Sequence, residues 1–483
     1  MSAAAEPAGS PLPAARLWRV CALLYLIFLG AYAGASGKRL LHASNDNHYV
    51  HLAYGWLHGR LDLGGPPPHS NDWSQVDWLN LKDGRLLKGA FVSGSSETFR
   101  TLDRRVVTVK PDEIEKKDTH YYVSFPPMPG ALMLPVVAVF GMRTNDVLFN
   151  VVLAPLGPLL VFLLLQKLRR RGDSDRTLAD DLLLTFVFGV GSVYYFSSVR
   201  GEVWYTAHVV SVVCVGLYCL FALDARRPAL CGLALGCGFL SRPEILFAAP
   251  LFLFEVARVR RRPGAPEAPP GEGLVAGLLR ALRDVDHRAA LSDLVAFALP
   301  IALLGVGAGI LNLRRFGRFT EFGHTYLNVI QAGQIQKFGL FNLVYLGRNL
   351  ACAFALTPTL VAGPPWIRVS WHGLAMWVTT PVLLYLLWPA RTGPLHRTLW
   401  ITVACVAIPN FFYQNSGWVQ FGYRFSLDYL VLLMLLLAIG GRPFGRPFKA
   451  LALAGFALNL FGAITFYWAG QFYFNSYFPA GIN

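Results

Sequence analysis

The chain is 483 residues long, 54% hydrophobic and only 15% charged, with a mean hydropathy of +0.43. That is too apolar for a soluble protein of this length and indicates a chain that crosses a membrane many times. The net charge of +15 sits in short basic runs between apolar stretches (167–171, 226–227, 258–262, 391–397 and 442–449), the positive-inside pattern rather than a nucleic-acid surface.

Residues 1–36 read as a cytoplasmic tail followed by a first span over 17–36. Its small residues at 31–36 look like a signal-peptide cleavage site, but the later spans alternate best if the segment stays as an anchor. Residues 37–141 form an exterior loop with juxtamembrane helices, and a loop this long is usually functional. Within it a helix is expected over 47–60, because Tyr49, Leu52, Ala53 and Trp56 fall at i, i+3, i+4 and i+7. His48, His51 and His58 share a different face of it. Such a helix would lie along a membrane surface, with Asp46 at its first turn, where a carboxylate also suits an N-cap. Pro66 to Pro68 and the charged 110–118 suggest a small folded subdomain. The apolar run 131–141 is too short to span and reads as a second interfacial or re-entrant element.

Spans follow at 145–168, 178–199 and 203–223, then a pair of short helices at 229–240 and 244–256 around Ser241-Arg242-Pro243; together they make a catalytic half over 142–257. A cytoplasmic linker, 258–292, holds the Pro/Gly-rich 263–273 and a surface helix over 274–286. The C-terminal part, 293–483, has spans at 293–313, 372–388, 398–412, 425–440 and 450–468, a second exterior loop from 314 to about 347, and a broken apolar region to 366. The expectation is an all-α polytopic membrane protein of about eleven transmembrane helices, its N-terminus inside and its C-terminus outside. The seven cysteines lie in or beside these spans, so neither a disulfide framework nor a zinc motif follows.

Ionisable side chains at membrane depth are costly and mark function by default. This topology gathers Asp46, the helix histidines, Arg200, Glu202, His208, Arg242, Glu244, Lys337, Arg424 and Asp428 at the outer face. Each also has a structural reading: Arg200, Glu202 and His208 as a local pairing, Arg242 as a headgroup anchor, Arg424 as a snorkelling side chain.

Three stretches carry a resemblance: Asp46 to Leu63, Tyr122 to Pro135 with its Phe125-Pro126-Pro127-Met128-Pro129-Gly130, and Gly422-Tyr423-Arg424-Phe425. In these, and in its layout, the chain resembles the GT-C superfamily of polyprenyl-phosphate-sugar-dependent glycosyltransferases; where many members carry an Asp-Glu pair, it has Asp46-Asn47. The resemblance implies a GT-C-like fold and transfer of a sugar, hexosyl or pentosyl, to an acceptor hydroxyl on the exterior (periplasmic or luminal) face of a bacterial inner membrane or its equivalent. It implies Asp46 as general base, Arg424 on the donor phosphate with Arg242 and Arg200 behind it, and Glu202 and His208 on acceptor hydroxyls or a second proton path. Tyr423, Lys337, His48 and His51 complete the expected donor-binding set. The partners implied are a membrane lipid donor and a glycan, lipid or protein acceptor. No metal ligand is assigned, and a divalent cation stays open. Two other classes fit the charges: a transporter or lipid flippase with a polar cavity, and a non-catalytic scaffold for envelope assembly.

Overall fold

The structure, a computed structural model, describes residues 12–266, 269, 273–329 and 331–476. The first part of the expected tail and much of the Pro/Gly-rich linker lie outside the described residues. Among the described residues six helices are long and apolar enough to cross a membrane: Ala14–Leu41, Asp146–Arg171, Val203–Ala225, His287–Phe316, Pro394–Phe412 and Arg446–Thr465.

α1 (Ala14–Ser36) leads to a 3₁₀ turn and then α2 (His48–Leu57). α2 forms close to the expected place, but its apolar stripe does not face lipid. Tyr49, Leu52 and Ala53 are buried against Met133 and Val137 and against Val203 and Ala207 of the segments that follow. The close approach needs a glycine: a Cβ on Gly130 would stand 2.8 Å from Leu52.

Between α2 and the helix that follows, the loop expected on the exterior carries a five-stranded antiparallel sheet, which corrects the all-α expectation. Its strands are β1 (Trp73–Leu81), β2 (Leu86–Phe91), β3 (Thr98–Thr101), β4 (Val106–Thr108) and β5 (Ile114–Val123), in the order β4-β3-β2-β1-β5. Trp73 opposes Val123 in the β1–β5 pairing. Both sheet ends that enter the protein body therefore emerge side by side, Asp72 just before β1 and Phe125 just after β5. α3 (Met128–Phe140) follows.

α4 (Asp146–Leu153) and α5 (Leu156–Arg171) make one continuous apolar segment. The expected span at 178–199 is broken into α6 (Leu178–Val190) and α7 (Val193–Ser198). Ser192 restarts the helix by accepting the Tyr194 backbone N–H at 3.2 Å. α8 (Val203–Ala222), α9 (Pro228–Phe239) and α10 (Pro250–Val259) come next, then α11 (Leu274–Asp284) and α12 (His287–Phe316). α12 leans on α9 through Gly232, where a Cβ would meet the Phe297 carbonyl oxygen at 1.9 Å. Most of its remaining surface is exposed and apolar, as lipid contact requires.

α13 (Ala332–Phe338) and α14 (Leu346–Phe354) lie in the second expected exterior loop. The expected span at 372–388 does not form. Only α15 (Met376–Thr379) and a 3₁₀ turn, Pro381–Leu387, are present, because Pro381 has no N–H to donate and pushes Thr380 out of the helical region. α16 (Pro394–Phe412), α17 (Leu427–Ile439) and α18 (Arg446–Thr465) complete the bundle. α17 is buried along its whole length and packs on α5, α6, α8 and α16. The described residues thus support fewer long spans than the eleven expected.

α8 and α17 define an axis. At one end Lys167, Arg171 and Arg258 share Asp224 and Glu255, Arg391 meets Asp175 at 2.6 Å, and Arg176 donates to the carbonyls that end α17. The basic runs of the sequence are gathered here. Glu202, at the start of α8, and Arg424, just before α17, stand at the other end, roughly 30 Å away for a 20-residue helix.

Candidate functional site

Asp146, at the first turn of α4, organises the end of the bundle opposite the basic runs. Its carboxylate accepts from the Ser44 backbone N–H at 2.7 Å, the Ser44 hydroxyl at 2.5 Å and the Glu202 backbone N–H at 2.9 Å. The Val203 N–H donates to the Asp46 carbonyl at 2.9 Å. The approach to α2 and the start of α8 are therefore one unit. Gly201 is required in it, since a Cβ there would lie 2.6 Å from the Asp146 carboxylate. Glu202 itself is held at φ +61° and ψ 144°, a region that costs about 1–3 kcal/mol for a residue with a side chain and that clusters at functional sites.

The Asp46 carboxylate is about one-fifth exposed and lies 3.5 Å from both His69 Nε2 and Asn71 Nδ2. It is not the helix cap: Asn47 holds that position, with no side-chain cap bond. Burial raises the Asp46 pKa, opposed by His69 and reinforced by Glu202. Asp72 follows in the same loop, at φ +60°. It accepts the Trp204 indole N–H at 2.8 Å, and burial pushes its carboxyl up to about 6 against that hydrogen bond, with the Asp46 charge adding to the rise. The next residue, Trp73, is fully buried and stacks on His48 at 3.8 Å between ring centres. His51 meets the same indole edge-on at 5.3 Å. Burial pushes His48 down to about 3 and His51 to about 4. Both are neutral packing groups around Trp73, and neither lines the cavity described next.

A cavity of about 390 Å³ opens beside this loop, within the usual range for small-molecule sites. Its wall includes Asp72, Trp204, His208, Arg242, Glu244 and Arg424. The sequence-expected residues His208, Arg242, Glu244 and Arg424 thus meet in one place, with Asp428 directly behind them. Asp46 and Glu202 sit together in a separate small pocket next to Asp146, so of the two acids in this loop Asp72 lines the cavity, together with Glu244 and Glu321. Tyr423 is buried against Phe411 and Lys337 is exposed beside Phe338; neither is in the cavity wall.

The three arginines differ in their partners. Arg242 is bidentate to Asp428, at 3.1 and 2.8 Å, and has Glu244 at 3.8 Å. Asn410 and His208 complete the Asp428 surroundings, at 3.0 and 3.5 Å. Arg200 is bidentate to Glu202, at 3.1 and 2.7 Å, with Tyr467 over its guanidinium at 4.6 Å. Arg424 is buried yet has no ion pair among the described residues, and its Nε has no hydrogen-bond partner. It lies between the Tyr205 and Phe425 rings, at 5.3 and 5.8 Å. Gln420 fixes the turn that presents it, accepting the Arg424 backbone N–H at 2.9 Å and donating to the His372 and Ser416 carbonyls at 2.8 Å. A buried guanidinium without a carboxylate, in a cavity wall, has the chemistry to bind an anion.

The segment 314–347 closes the far side with Glu321 and His324. Glu321 is used locally, accepting from the Gly323 N–H at 2.8 Å and the Thr325 hydroxyl at 2.7 Å. Asp72, Gln414, Glu321 and His324 were missed in the sequence, where they sit in polar loops without periodicity. Among the described residues no group of three or more His, Cys, Asp or Glu side chains converges as a metal-ligand set.

No family model matches the chain, and no curated protein matches it. Two solved chains are similar in shape. The oligosaccharyltransferase of Archaeoglobus fulgidus in the apo form has a TM-score of 0.40 and 13% identity, covering 93% of this chain and 56% of that one. The archaeal oligosaccharyltransferase AglB from Archaeoglobus fulgidus, in complex with an inhibitory peptide and a dolichol-phosphate, has a TM-score of 0.38 and 13% identity, covering 94% and 56%. The chain therefore spans little more than half the length of these neighbours.

Proposed function

We propose that the chain is an integral membrane glycosyltransferase that moves a sugar from a polyprenyl-phosphate donor to an acceptor hydroxyl. The observation that carries this is the unpaired Arg424 guanidinium sharing a cavity wall with the Asp72 carboxylate. The acceptor oxygen attacks the anomeric carbon, its proton passes to the carboxylate, and the bond from that carbon to the phosphate oxygen breaks. The lipid phosphate leaves with the electron pair, and Arg424 meets the charge that grows on it. Attack opposite the leaving group inverts the sugar carbon.

The base is Asp72, the acid of the 69–72 loop that lines the cavity, and Asp46 acts through it by raising its pKa and by tethering that loop. Arg242 and Arg200 are committed to Asp428 and Glu202 and shape the site. The cavity faces the exterior, because the basic runs lie at the opposite end of α8 and α17 and positive charge is retained inside.

The test is sugar transfer in proteoliposomes by Asp72→Asn and Asp46→Asn. A lost general base costs about 10² to 10⁴-fold, so Asp72→Asn loses transfer by that factor and Asp46→Asn loses less. The reverse order would return the base role to Asp46. Lipid translocation without a covalent product would identify a carrier instead.

A further inference from the structure

Two hydrogen-bonding atoms in the cavity wall lack partners in addition to Arg424 Nε: Glu244 Oε2 and Gln414 Oε1. Each belongs to a residue more than nine-tenths buried, with exposures of 6 and 4%, and His208 lies behind them with its Nδ1 3.5 Å from Asp428. A carboxylate oxygen and an amide oxygen can only accept, and buried acceptors left unmatched cost about 1–3 kcal/mol each. Arg242 does not satisfy Glu244, because its fork is already taken by Asp428 and it stands 3.8 Å off. Phe425 touches both parts of the wall: the Arg424 guanidinium lies 5.8 Å from its ring and the Arg242 guanidinium 4.7 Å.

We propose that Glu244 and Gln414, backed by His208, form a hydroxyl-reading subsite, and that the transferred sugar is one with free hydroxyl groups on the edge it presents to them. This rests on the reading of the cavity as a phospho-sugar site and names the part of the donor that each wall takes: phosphate on Arg424, sugar hydroxyls on Glu244 and Gln414. A sugar that is deoxygenated or acylated on that edge leaves the acceptors unmatched. Sites built to bond a hydroxyl reject analogues lacking it strongly.

The experiment measures binding of bare polyprenyl phosphate and of polyprenyl-phosphate glucose, mannose and arabinose to the purified full chain in detergent. Wild type is compared with Glu244→Gln, Gln414→Leu and Arg424→Gln, each checked for a monodisperse, folded state. The expected result is that at least one sugar-bearing lipid binds wild type more tightly than the bare lipid. Glu244→Gln and Gln414→Leu each weaken that lipid by about tenfold, the scale of one lost hydrogen bond to a charged or buried group, and leave the bare lipid unchanged. Arg424→Gln weakens all of them. If the sugar-bearing lipids bind no better than the bare lipid and neither subsite variant separates them, the subsite is overturned while Arg424-dependent phosphate binding keeps the donor reading. If wild type binds none of the lipids, both readings fall.

Discussion

At the residue scale, partners decide what each charge can do. Arg200, Arg242 and Arg424 are equivalent as letters in a sequence, yet two of them have carboxylates across both prongs of the fork and one has none. Removing one partner of a buried pair strands the other, so Asp428 and Arg242 are expected to be sensitive for reasons of folding. Asp72 gives the chemistry a pH signature. Its carboxyl is held up at about 6 by burial, and only the ionised form takes a proton. Transfer therefore falls as pH drops through about 6 and is full above it. Asp46 contributes to the raised value, so Asp46→Asn moves the acid limb toward lower pH. A pH profile of kcat/KM for the two proteins checks this, and an unmoved limb would uncouple the two carboxylates. His48 and His51, pushed down to about 3 and 4, add no step between pH 5 and 8.

At the element scale, close approach between helices is set by small residues. α12 is held to α9 where Gly232 meets the Phe297 carbonyl. Gly232→Ala forces the helices apart, at about 1–3 kcal/mol for an overpacked contact. Thermal unfolding in detergent reads that loss, and an unchanged midpoint would show that α12 is held elsewhere. Long apolar helices were legible in the sequence because lipid and core both demand continuous hydrophobicity: α8, α12, α16 and α18 fall near their expected places. The sheet was not. β5 reads Ile114-Glu-Lys-Lys-Asp-Thr-His-Tyr-Tyr-Val123 and is half or fully exposed over most of its length, so it carries no alternation of apolar and polar residues. The Asp83-Gly84 turn between β1 and β2 was its one local signal. α2 was placed correctly and oriented wrongly, because an apolar stripe does not say whether lipid or α3 will cover it. The site was half legible: an arginine or glutamate in a greasy stretch stands out, whereas Asp72, in a polar loop, becomes conspicuous only once the fold brings the Trp204 indole N–H to its carboxylate.

At the scale of the whole molecule, the fold separates two kinds of charge along α8 and α17. Basic runs paired with Asp175, Asp224 and Glu255 collect at one end, and the cavity collects at the other. If positive charge marks the inside, a membrane-impermeant thiol reagent applied to intact cells labels Lys337→Cys and spares Arg391→Cys. Labelling with the opposite preference would turn the cavity to the cytoplasm. The five-stranded sheet is tied to the same end as the cavity: its first strand begins one residue after Asp72, and its last leads into Phe125 in the cavity wall. The strand pairing of Trp73 with Val123 thus fixes the chain on both sides of this part of the wall.

The most direct measurement is the structure of the protein with polyprenyl phosphate bound. The account predicts the phosphate on the Arg424 guanidinium, at about 2.7–2.9 Å as for a charge-assisted hydrogen bond, with Asp72 across the cavity on the side where the anomeric carbon of a sugar would lie. A phosphate held by Lys337, Arg200 or Arg242, with Arg424 untouched, would contradict it.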